Sequence, residues 1–102
     1  MSRIILKNAN LLSANFSYVN LSGADLSGAN IANSNLYEAN LYEANLLNVC
    51  LSKANLSEVN LSSAVLSYAN LSSAVLSYSN LSYANLEAAE EAVEDKNCLR
   101  II

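Results

Sequence analysis

The sequence predicts an all-β solenoid of about four stacked square coils. Three observations predict it. First, positions 11, 16, 21, 26, 31, 36, 41, 46, 51, 56, 61, 66, 71, 76, 81 and 86 are all Leu, except Phe16 and Ile31, with no insertion or deletion between them. Second, a small residue (Ala, Val or Ser) stands two places before each, and Asn stands one place before most. Third, a period of five suits neither regular element. On a helix it would rotate the Leu by about 140° per step, and on an unbroken strand it would send alternate Leu to opposite faces. A chain that turns a corner every five residues satisfies the pattern. Four corners close a coil of 20 residues, and successive coils stack with their backbones paired.

The chain has 102 residues, enough for one domain with a buried core. Its composition is 53% hydrophobic and 14% charged, so solubility requires the Leu and Ala phases to point inward together. Residues 1–8 read as an N-terminal edge, in which Ile4 and Leu6 occupy the small and Leu phases of a degenerate pentad. Residues 9–86 are the repeat, and 87–102 a C-terminal cap. Only Gly23 and Gly28 are glycines and there is no proline, from which the corners are expected to need no special φ angles. Asn before Leu suits tight corners, because its side chain bonds local backbone groups.

Ala-Asn-Leu-Ser-Tyr, Ala-Asp-Leu-Ser-Gly and Ala-Asn-Leu-Tyr-Glu resemble the A-(N/D)-L-x-x motif of the pentapeptide-repeat proteins. Sixteen such units in register make the resemblance specific. It implies a right-handed quadrilateral β-helix, with the central Leu and the preceding small residue directed inward and the other three residues outward.

Past the repeat, residues 86–96 read as a helix rich in Ala and Glu, both good helix formers. Asn85 would be its N-cap and Leu86, Ala89, Ala92 and Val93 its apolar stripe. Such a helix would cover the last coil and its open backbone edge. The tail with Leu99, Ile101 and Ile102 either packs beneath it or meets a second chain, which leaves open a homodimer through a terminus. Candidate residues for this cap or dimer contact are Leu86, Ala89, Val93, Leu99, Ile101 and Ile102.

Little points to catalysis. Histidine is absent, which removes the commonest general base and metal ligand. The many serines follow the repeat phase, so no catalytic residue, metal or cofactor is expected, nor an enzyme. Cys50 takes an Asn phase and should face outward; Cys50 and Cys98 are read as reduced thiols. A net charge of −4 disfavours nucleic-acid binding. No apolar run is long enough to cross a membrane, and the cytoplasm is the expected compartment.

The outer surface remains. With four pentads per coil, Tyr18, Tyr37, Glu38, Glu58 and Tyr78 fall on the second face, and Tyr42, Glu43 and Tyr83 on the third. Glu38 and Glu58 stack one coil apart, about 4.8 Å by strand spacing, a mildly unfavourable pair. These eight residues form the candidate interaction face for an unidentified protein partner, since Tyr contributes contact area and a hydroxyl with few torsions to freeze. A purely structural reading stays open, because aromatic residues also stack well along a β surface.

Two of the other readings concern DNA gyrase and an engineered scaffold. Some members of the family resemble duplex DNA and modulate DNA gyrase, but the repeat carries only Asp25, Glu38, Glu43 and Glu58 as acids. Duplex DNA presents about one charge per 1.7 Å. An engineered or purely structural scaffold would account for the near-duplicates 61–70 and 71–80, whereas the departures Cys50, Val65 and Val75 favour a natural sequence.

Overall fold

The computed structural model describes residues 3–89. Thirteen parallel bridges join residues twenty apart, from Ile5 with Asp25 to Val65 with Asn85. The coil therefore closes every four pentads, and the walls can be named by their bridging residues. Wall 1 stacks Asn10, Asn30, Cys50 and Asn70, and wall 2 stacks Asn15, Asn35, Asn55 and Val75. Wall 3 stacks Asn20, Asn40, Asn60 and Asn80, and wall 4 stacks Ile5, Asp25, Asn45, Val65 and Asn85.

One pentad shows why five residues suffice, because all five of its backbone N–H groups find acceptors. Ala29 donates to the Leu26 carbonyl at 3.0 Å, which closes the turn. Asn30 donates to Ala9 in the preceding coil at 2.9 Å. Ile31 donates to Cys50 at 2.7 Å and Asn33 to Ser52 at 2.9 Å, both in the following coil. The remaining N–H, of Ala32, donates to the Asn30 side-chain oxygen at 3.2 Å. Asn thus stands in the wall, and its side chain reaches forward to the first corner residue. The same bond recurs at Asn35, Asn40, Asn60 and Asn70, and Asp25 makes it to Ser27.

The corners depart from the sequence expectation. The second residue after each Leu has a left-handed φ throughout: between 56° and 64° at the non-glycine positions, and 70° at Gly23 and Gly28. This is the φ that a type II turn demands at its third residue. Corners with special φ angles are therefore the rule here, carried mostly by residues other than glycine. In the interior pentads three inter-coil bonds and one turn bond hold them there. At Gly28 the end of the Asn8 side chain stands where a Cβ would go, and it would have to swing aside for one.

The core lies on the coil axis. Leu26, Leu41, Leu46, Leu51, Leu56, Leu61 and Leu66 are fully buried, with Ala24, Ala44, Ala54 and Val59 beside them. Ser34 and Ser79 replace Ala at inward positions and donate their hydroxyls to the carbonyls of Ile31 and Leu76. At the first coil Leu6, Leu11, Phe16 and Val19 are only partly covered.

At the other end, the expected helix does not begin at Leu86. Ala88 has φ 58°, and Ala89 donates to the Leu86 carbonyl at 3.0 Å, so residues 86–89 make one more corner. Asn85 accepts from the Glu87 N–H at 3.0 Å, as Asn does throughout the repeat. Leu86 and Ala89 pack partly against the core as ordinary repeat residues. The rest of the expected cap and dimer contact, including Val93, Leu99, Ile101 and Ile102, and also Cys98, lies outside the described residues.

Candidate interaction surface

The corner that follows wall 2 is built from two columns. The first corner residue of each pentad stacks as Ser17, Tyr37, Ser57 and Ser77. The second, left-handed residue stacks as Tyr18, Glu38, Glu58 and Tyr78. Backbone bonds set the register: Tyr18 donates to Tyr37 at 2.9 Å, Glu38 to Ser57 at 3.1 Å and Glu58 to Ser77 at 2.8 Å. Across this corner the Tyr18 and Tyr37 rings meet edge to face, with centroids 5.6 Å apart and planes at 89°. The Tyr37 hydroxyl donates to Glu58 Oε2 at 3.4 Å. The Glu38 carboxylate, by hydrogen bonding, and then the Glu58 charge hold the Tyr37 phenol above the usual tyrosine range.

The corner after wall 3 carries Tyr42 and Glu43 in one coil and Tyr83 two coils on. Among the described residues no side-chain bond or ring contact joins Tyr42, Glu43, Tyr78 or Tyr83 to the Tyr18–Tyr37–Glu58 group. Tyr18, Tyr78 and Tyr83 are 68%, 76% and 90% exposed. The structure therefore gathers four of the eight expected residues (Tyr18, Tyr37, Glu38 and Glu58) and leaves the others as separate projections along the same two corners.

Residue choice at the left-handed position is uneven. Asn or Gly, the types best suited to it, occupy Asn8, Gly23, Gly28, Asn33 and Asn48. Tyr or Glu occupies seven such positions. All but Tyr68 lie on the corners after walls 2 and 3. Sequence reasoning placed these residues on adjoining faces but missed their backbone conformation. The signal that could have revealed it is the recurrence of Asn and both glycines at that one phase.

Glu38, Glu43 and Glu58 all stand on these two corners, and by the twenty-residue register Arg3 falls on the second of them, in line with Gly23 and Glu43. Among the described residues the bases are Arg3, Lys7 and Lys53, of which Lys7 stands at the corner after wall 4 and Lys53 at the corner after wall 1.

Elsewhere the chemistry is sparse. A cleft of about 280 Å³ on wall 4 is lined by Lys7, Asn8, Asp25, Asn45 and Asn48, among others. Its carboxylate is already engaged: the Ser27 hydroxyl donates to Asp25 at 2.7 Å and the Ser27 N–H at 3.1 Å. These bonds, with a smaller contribution from Lys7 and Arg3, hold Asp25 below the ordinary carboxylate range. The repeat serines are engaged too, since Ser17, Ser62, Ser72 and Ser82 donate their hydroxyls to the preceding Asn side chains. Cys50 is a half-buried free thiol 3.6 Å from the Ser52 hydroxyl. Among the described residues no cluster of metal-binding side chains occurs, and no helix is long and apolar enough to cross a membrane.

Comparison with known proteins agrees with the coil. The family model "Pentapeptide repeats" matches eight copies, over residues 1–31, 20–57 and 54–89. A pentapeptide repeat protein, Rfr23, from the cyanobacterium Cyanothece 51142 is 38% identical, with a TM-score of 0.83 over 84% of this chain and 58% of its own. The pentapeptide repeat protein alr5209 from Nostoc PCC 7120 is 37% identical, with a TM-score of 0.61 over 85% of this chain and 64% of its own. The chain thus spans less than two thirds of either relative. No curated protein sequence matches it. The sixteen-unit motif, the twenty-residue register and the family match agree, and the chain belongs to the pentapeptide-repeat proteins, whose fold is the right-handed quadrilateral β-helix.

Proposed function

We propose that the chain is a non-enzymatic scaffold that docks a protein partner on the corners after walls 2 and 3. One observation carries this reading: Tyr and Glu crowd the left-handed positions of those two corners, where Asn or Gly would serve the fold better. Backbone conformation disfavours them there, and like charge disfavours the Glu38–Glu58 pair. Tyr18, Tyr78 and Tyr83 leave large amphipathic rings in solvent, a residue type enriched where proteins meet.

The test is capture from lysate by wild type and by Tyr37→Ala/Tyr42→Ala, with circular dichroism confirming that both are folded. A partner retained by wild type and lost by the variant supports the docking surface. Identical capture, or none by either, removes it. The gyrase reading gains no support from charge, since five acidic side chains among the described residues make a sparse imitation of a DNA duplex.

A further inference from the structure

We infer that two copies of the chain pair head to head through the first coil, about a two-fold axis that crosses the solenoid. The first coil leaves its axis residues Leu6, Leu11, Phe16 and Val19 only partly covered, where the next coil buries Leu26, Ile31, Leu36 and Ala39. Ile4, Ile5 and Leu12 stand exposed on its rim. A repeat stack that meets water at its end does so with a polar outer face, and among the described residues nothing covers this apolar one. The backbone is open as well. Asn30 bonds the preceding coil through both its N–H and its carbonyl, to Ala9 and Leu11, and Asn35 does the same to Ala14 and Phe16. By the same geometry Ile5, Asn10 and Asn15 turn both groups outward, with no backbone partner among the described residues.

A second copy is the occupant this end matches. Antiparallel strands related by a two-fold let facing residues exchange both N–H···O bonds, so Asn10 can pair with its own counterpart. A square end offers several two-folds in its plane, and charge chooses among them. Arg3 stands at the corner after wall 3 and Lys7 at the corner after wall 4. A two-fold along either diagonal, or through walls 2 and 4, sets base against base. The two-fold through walls 1 and 3 sets each basic corner of the first coil against a corner without a base. It also seats the extra segment at Ile5, which raises wall 4, over wall 2 of the other copy, which starts one step lower at Asn15. The molecule is 25 Å across in both short directions, so two such ends cover up to about 1,200 Å², the size of a small specific interface.

Sedimentation of the whole chain across the micromolar range should show a reversible rise from the mass of one chain to that of two, and no further. Ile5→Lys/Leu12→Lys puts charge on the open edge at exposed positions and should stay monomeric where wild type is dimeric, with circular dichroism showing both folded. Leu47→Lys/Tyr68→Lys adds the same charge at exposed positions of later coils and should leave the dimer unchanged. Amide exchange at Asn10 and Asn15 should slow as the wild-type concentration rises, a readout that needs no variant. A monomer up to about 1 mM, growth beyond two chains, a dimer that survives Ile5→Lys/Leu12→Lys, or a dimer without slowed exchange at Asn10 overturns the inference. None of these outcomes bears on the docking reading, which stands or falls with Tyr37 and Tyr42.

Discussion

Glu38 and Glu58 occupy the same left-handed corner position one coil apart, with φ 56° and 58°. The Glu38 N–H, bonded to Ser57, ties the two coils together between them. The Tyr37 hydroxyl reaches across the same interval to Glu58. The two carboxylates therefore act on one phenol, and that relationship has a spectroscopic consequence.

Tyr37 should ionise late, above the usual tyrosine range. Its raised pKa means that the folded state favours the neutral phenol. This contribution to stability is complete below about pH 10, the unfolded value, and disappears as pH rises through the higher folded value. Ultraviolet titration should show the latest step vanish in Tyr37→Phe and move to lower pH in Glu38→Gln/Glu58→Gln. A late step unchanged by both variants would deny the cluster.

Asp25 gives the opposite sign. Its carboxylate accepts from Ser27 and is held below the ordinary aspartate value of about 3.9. The stability it contributes is present above that value and is lost as pH falls through the folded one. Asp25→Asn keeps an acceptor for the Ser27 N–H, as Asn does at equivalent positions, but does not titrate. Denaturant unfolding from pH 5 to pH 2 should show a smaller loss of stability in the variant than in wild type.

Val65 stands where most pentads have Asn, and the Ser67 N–H has no acceptor among the described residues. Ser67 is buried, so water is a poor substitute. Val65→Asn should restore the acceptor and raise unfolding stability by about 0.5–1.5 kcal/mol, the usual net worth of such a bond. No gain in the denaturation midpoint would assign Asn a different role.

Core truncation should depend on coil. Leu46 is fully buried in the middle of the stack, whereas Leu11 in the first coil is only partly covered. Leu46→Ala should cost about 2–5 kcal/mol by urea unfolding. Leu11→Ala should cost clearly less, because less apolar area leaves water there.

The coil was legible because Leu11 to Leu86 repeat at a period that neither helix nor strand accepts. The role of Asn was legible as local bonding, but the N–H it serves emerges only once the other four of each pentad are placed. Corner conformation was misread from the scarcity of glycine: Ser63, Tyr68 and Glu58 accept φ near 60° because the following coil holds the backbone. The helix from Leu86 was misread because Ala and Glu propensity competes with a ready ladder. Leu66 and Tyr68 donate to Asn85 and Glu87, and this tertiary pairing prevails through Ala89. The Tyr/Glu columns followed from the twenty-residue register. The Tyr37–Glu58 and Tyr18–Tyr37 contacts did not, since side-chain direction across a coil is not written in the period.

The central claim is that Glu38 and Glu58 serve a partner at the expense of the fold. Its most direct test is the urea midpoint of Glu38→Asn/Glu58→Asn. Asn suits the left-handed corner and removes the like-charge pair, so the account predicts a higher midpoint than wild type, by roughly 0.5–2 kcal/mol in stability. A lower midpoint would show that the two glutamates hold the coil together, and would contradict it.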